Sequence, residues 1–87
     1  MIRIAYADRF IKAAKSLDIS LQNKLADCIA LMQTNPFHSG LHTKPLSGPL
    51  AGMYSFRINR DWRVLFKFAS PDMIQLIDIG HRKDIYK

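Results

Sequence analysis

An α+β fold of order β-α-α-β-β-β is predicted for this chain of 87 residues. Two patterns predict it. Apolar residues recur at helical spacing between residues 8 and 34, and they alternate with polar ones in two stretches after residue 53. Size sets the scale: 87 residues with 48% hydrophobic and 23% charged side chains build one core, not two. The expectation is a single small domain over residues 1–87, in which an N-terminal strand and a helical hairpin pack on one face of a mostly antiparallel sheet.

Ile2, Ile4 and Tyr6 alternate with Arg3 and Ala5, a short strand with one apolar face. From Asp8, a plausible N-cap, to about Leu17, the residues Phe10, Ile11, Ala14 and Leu17 form one apolar stripe while Lys12 and Lys15 face water. Asp18 or Ser20 caps a second helix through about Thr34, with Leu21, Leu25, Cys28, Ile29 and Met32 at helical spacing, and Asn35-Pro36 stops it. Residues 36 to 52 hold three of the four Gly and three of the four Pro and read as the longest irregular region. Tyr54, Phe56 and Ile58 then alternate with polar residues, as do Trp62, Val64, Phe66 and Phe68, with a tight turn at Asn59-Arg60-Asp61 between them. After Ser70-Pro71-Asp72, the almost continuously apolar run Met73 to Ile79 reads as a central strand covered by the helices.

Composition removes several mechanisms. All seven acids are Asp, so no Glu serves as a general base, metal ligand or capping-box partner. One cysteine, Cys28, excludes an intramolecular disulfide and a zinc site with two thiolates. On the apolar stripe of its helix it reads as a buried, unreactive thiol. His38, His42 and His81 have no recognised zinc spacing, and a basic surround disfavours a cation. No metal or cofactor is expected. No stretch approaches the roughly 20 apolar residues that span a bilayer, and the N-terminus lacks the apolar run of a signal peptide. A cytoplasmic protein with no membrane role is the expectation.

Thirteen basic against seven acidic side chains give a formal charge of +6, which points to a polyanionic partner. Residues 41 to 87 carry eight of the basic residues, so the excess leans toward the strands. If the hairpin pairs Phe56 with Val64, then Arg57 and Arg63 stand directly opposite each other on the less apolar face, an arrangement that costs stability. Two readings stand: solvated arginines splayed apart, or a pair whose planar forks hold a phosphate. His81, Arg82, Lys83 and Tyr86 form a second cluster. His81 is either a surface histidine in a basic tail or a proton-transfer group, and Tyr86 either stacks on a base or packs the tail against the core.

The run Lys44-Pro45-Leu46-Ser47-Gly48, then Gly52 to Ile58, then Asp61-Trp62-Arg63-Val64-Leu65-Phe66-Lys67, and finally Gly80-His81-Arg82-Lys83-Asp84-Ile85-Tyr86 resembles the RelE/ParE superfamily of type II toxins. The likeness extends over nearly the whole chain. It implies the RelE-like fold and a ribosome-dependent, metal-independent mRNA endonuclease. In such enzymes the RNA's own 2′-hydroxyl attacks the neighbouring phosphate, leaving a cyclic phosphate and a 5′-hydroxyl. That reaction asks for a base, an acid and cations on the charge growing at phosphorus.

Carried over by position, the resemblance gives His81 proton transfer, Arg57 and Arg63 the phosphate, and Tyr86 the positioning of the nucleotide. Lys44, Arg60, Arg82 and Lys83 are the expected RNA contacts. The implied partners are a cognate antitoxin, the ribosome with its mRNA, and operator DNA reached through the antitoxin complex. One branch of the superfamily uses a Glu base that this chain lacks, and another has Lys where Ser55 stands. The ParE branch keeps the fold and a similar His-Arg tail while inhibiting DNA gyrase without cutting RNA, and that is the alternative function.

Overall fold

The N-terminal alternation forms strand β1 (Arg3–Tyr6), and the apolar run near the other end forms β5 (Met73–His81), its parallel partner. A computed structural model describes residues 1–86; Lys87, the last residue of the basic tail, lies outside the described residues. Between them come α1 (Asp8–Lys15), α2 (Ile19–Thr34), β2 (Lys44–Pro45), β3 (Tyr54–Arg57) and β4 (Trp62–Ser70). The five strands lie in the order β1-β5-β4-β3-β2, and every pairing except β1 with β5 is antiparallel. Among the described residues no helix is long and apolar enough to cross a membrane.

Asp8 is not the cap of α1. Ala7 is extended and its amide donates to the Leu76 carbonyl at 3.0 Å, which holds it in the sheet. The helix therefore starts at Asp8, one residue earlier than an Asp8 cap would set it, with the Asp8 carboxylate in the first turn, where the positive end of the helix dipole favours it. Asp18 does cap α2, accepting from the Leu21 amide at 2.8 Å, and Asn35 leaves the helix extended before Pro36. Tyr6 stands 47% exposed rather than inside, its ring 5.8 Å from that of Phe10.

The region expected to be irregular contains an edge strand. β2 is two residues long and sets Lys44 opposite Ser55 and Pro45 opposite Tyr54. A strand this short shows no alternation, and Pro is tolerated there because an edge strand has amides to spare. Short 3₁₀ turns at Ser39–Leu41 and Gly48–Leu50 flank it, and Leu41 is wholly buried.

Both helices cover the face formed by Phe56, Val64, Phe66, Ile74 and Leu76, with Phe10, Leu25 and Met32 packed onto it. Phe66 is its centre: the ring is inaccessible and lies 5.5 to 5.9 Å from those of Tyr54, Phe56 and Phe68. The hairpin register matches expectation, with Phe56 opposite Val64 and Arg57 opposite Arg63. In β5 the register slips: Leu76 opposes Phe66 while Asp78 opposes Leu65, leaving Ile77 as an extra residue. From that bulge onward the alternation is inverted, so Ile79 and His81 face the helices while Gly80, opposite Arg63, faces the open side.

Phe66→Ala is expected to cost about 3–5 kcal/mol, the usual range for emptying a core aromatic site. Urea unfolding monitored by circular dichroism measures it.

Candidate functional site

Because side chains alternate along a strand, Ser55 and Arg57 of β3 and Arg63 of β4 share the face that the helices leave open. β2 adds Lys44 beside Ser55. Next to Arg63 the sheet presents Gly80, and there the residues after β5 fold back over it. A Cβ on Gly80 would lie 2.9 Å from Ile85 Cδ1 and 3.3 Å from Ile85 Cβ, so the missing side chain is what admits Ile85, which is buried. The turn is tied down by the Asp84 and Ile85 amides, which donate to the His81 carbonyl at 2.8 and 2.9 Å. The Arg82 amide donates to the Asp61 carbonyl at 2.7 Å. Tyr86 thereby reaches Ser55, Oη 3.1 Å from Oγ, and Lys44 Nζ sits 5.2 Å from the centre of its ring.

These residues enclose a cleft of 360 Å³. Five cations line it, Lys44, Arg57, Arg63, Arg82 and Lys83, and among the described residues no carboxylate does. The remaining lining is Tyr86, the buried Ser55 and His42. The two apposed arginines differ. Arg63 is 7% exposed, and its Nη1 donates to the carbonyls of Asn59 at 2.8 Å and Trp62 at 3.3 Å. The Asn59 side chain in turn accepts from the amides of Asp61 and Trp62, both at 2.9 Å, which fixes the turn that supplies those carbonyls. Arg57 is exposed and, among the described residues, makes no ion pair. The reading as two solvated arginines does not fit Arg63: its guanidinium is held by backbone carbonyls, whereas Arg57 is exposed, and both line the cleft. Arg82 has only a loose pair with Asp61, 3.6 Å apart with both side chains about half exposed, which holds it weakly.

Six of the expected residues therefore come together: Lys44, Arg57, Arg63, Arg82, Lys83 and Tyr86. His81 and Arg60 do not. The bulge turns His81 to the helix face, where its ring packs edge-on to Trp62 at 5.8 Å and its Nδ1 accepts from the Lys83 amide at 3.2 Å. Arg60 is exposed in the β3–β4 turn, outside the cleft lining. Two cleft residues, Ser55 and His42, are given no role in the cleft by the sequence. Ser55 shares its strand parity with Arg57, which was signal enough; His42 precedes Lys44 by two residues but lies in a stretch without alternation. Cys28 donates to the Arg57 carbonyl, 3.7 Å away, and burial, with Asp27 adding, pushes its thiol pKa up, so it is a poor nucleophile. Among the described residues no three His, Cys, Asp or Glu side chains gather as a metal site.

No family model matches the sequence, and no curated protein matches it. Solved structures do. The Escherichia coli DinJ–YafQ toxin–antitoxin complex contains a chain that superimposes with a TM-score of 0.79 at 20% identity, over 99% of this chain and 98% of that one. A YoeB/ParE toxin from Agrobacterium tumefaciens gives 0.79 at 20% identity over 93% and 99%. The archaeal RelE–RelB complex from Pyrococcus horikoshii gives 0.78 at 19% identity over 95% and 97%. This chain has the RelE-like toxin fold. Within that fold the cleft lies on the open face of the sheet, opposite the helical hairpin.

The two arginines are expected to respond differently to truncation. Arg63→Ala should cost about 1–3 kcal/mol by leaving the part-buried Asn59 carbonyl without its Arg63 donor and removing a buried side chain, whereas Arg57→Ala should change stability by no more than about 0.5 kcal/mol. Paired urea titrations check this. Gly80→Ala should displace Ile85 and loosen Tyr86 with a smaller loss of stability than Phe66→Ala, read as faster amide exchange confined to residues 82–86.

Proposed function

We propose that the protein is the toxin of a type II toxin–antitoxin system, of the RelE/ParE superfamily, and that it cuts mRNA on the ribosome. One observation carries the reading: five cations and, among the described residues, no carboxylate line a single cleft beside a positioned tyrosine. Gathering like charges is unfavourable unless a polyanion supplies the counter-charge, and Arg forks match phosphate oxygens. Tyr86, held at its hydroxyl by Ser55, offers its ring for stacking on an unstacked base, the usual way single-stranded RNA is read.

In this mechanism the RNA supplies its own nucleophile, the 2′-hydroxyl next to the scissile phosphate, so no metal-activated water is required. Arg63, locked in place, and Arg57, free to close on the substrate, stabilise the charge that develops on the phosphoryl oxygens. Arg82, Lys83 and Lys44 hold the neighbouring backbone. The proposed regulator is a cognate antitoxin with acidic side chains to neutralise the cleft, consistent with the antitoxin partner named for YafQ, and operator DNA is contacted through that complex. The expected compartment is the cytoplasm, where ribosomes and mRNA are.

Inducing the protein in cells and mapping mRNA 5′ ends tests the proposal, with gyrase supercoiling assayed in parallel. Codon-phased cleavage in ribosome-bound messages, reduced by about 10²-fold or more in Arg63→Ala, is expected. Intact mRNA with blocked supercoiling would establish the gyrase alternative instead.

A further inference from the structure

The proposed reaction needs a group that takes the proton from the 2′-hydroxyl, and the cleft is short of acceptors. Protonated lysine and arginine side chains are donors without a lone pair to offer, and they account for five of its residues. Tyr86 and Ser55 are hydroxyls already bonded to each other and are weak bases. The chain has no Glu, and Asp61, which pairs with Arg82, does not line the cleft. His81 is on the far face of the sheet. Among the described residues that line the cleft, His42 alone carries an imidazole, a group that can both accept a proton and give one up.

A second, independent observation concerns the backbone. His42 is the only non-glycine residue with positive φ among the described residues, at φ 52° and ψ 42°. Side chains with a Cβ rarely adopt this left-handed conformation, and where they do the strain is maintained by the surroundings, often at functional sites. Here the surroundings are explicit. On one side Leu41 is wholly buried; on the other the Thr43 hydroxyl donates to the Pro36 carbonyl at 2.6 Å; the His42 amide itself donates to the Ser39 carbonyl at 3.3 Å. Held between these anchors, His42 is exposed and lines the cleft.

We infer that His42 is the general base of the cleft, an inference that rests on the endonuclease reading above. The imidazole takes the proton of the 2′-hydroxyl as O2′ bonds to phosphorus. The bond from phosphorus to O5′ breaks, and the leaving oxygen takes a proton from solvent water. The imidazolium then returns its proton to solvent. The products are the cyclic phosphate and the 5′-hydroxyl, with no net water consumed.

The test uses His42→Asn, which tolerates the left-handed turn but does not accept the proton, and His42→Gly, which relieves the strain. Single-turnover cleavage of an mRNA in the decoding site of intact ribosomes is measured beside co-sedimentation with the same ribosomes. Both variants are expected to cut about 10²- to 10⁴-fold more slowly while co-sedimentation changes by less than about twofold. Added imidazole is expected to restore at least about tenfold of the His42→Gly rate, and this variant should melt at or above the wild-type temperature. Cleavage by either variant within about threefold of wild type, a loss matched by lost co-sedimentation, or absence of imidazole rescue overturns the assignment. If the wild type itself does not cut, the endonuclease reading falls and takes this assignment with it; a cutting wild type with cutting variants removes His42 alone.

Discussion

The contact between Gly80 and Ile85 is the one on which the cleft depends. A sheet with helices on one side presents an open face on the other, and an open face alone positions nothing. Here a residue without a side chain lets the following turn lie flat against the strand it has just left, and an isoleucine fills the space. The reach of Tyr86 to Ser55, and the approach of Lys44 to the tyrosine ring, are consequences of that seating. What this contact sets is the geometry of the site rather than the bulk of the core.

The bulge in β5 is the second determinant, and it acts through parity. One extra residue at Ile77 exchanges the faces of everything after it. Gly80 is thereby placed where the turn can use it, and His81 is placed against Trp62, where it props the end of the sheet and, through Nδ1, anchors the Lys83 amide. The histidine that the linear motif singles out thus supports the turn from the helix face, while the cations of the cleft on the other face come from three different strands and the turn itself.

Much of this was legible in the chain. The two helices, the Asp18 cap, the stop at Asn35-Pro36 and the hairpin register all follow from local periodicity and turn chemistry, and the register alone was sufficient to bring Arg57 and Arg63 together. What was not legible has identifiable causes. The run Met73 to Ile79 is apolar on both parities, so nothing in it marks where the ladder slips. β2 is two residues long and defined only by its partner. The left-handed turn at His42 is imposed by Leu41 on one side and Pro36 on the other, contacts that exist only after the chain has folded.

Pairing the first strand with the last has a consequence for how the molecule is made. β1 and both helices are synthesised before any strand that can cover their apolar faces, and β1 gains its partner only when β5 exists. Such long-range closure makes assembly late and cooperative, with the emerging chain kept in a non-native state until then. On the proposed reading, the ribosome producing this protein is also its target. A topology that withholds the finished cleft until β5 and the turn after it have been made delays the hazard, and gives an antitoxin time to be present when the cleft first forms.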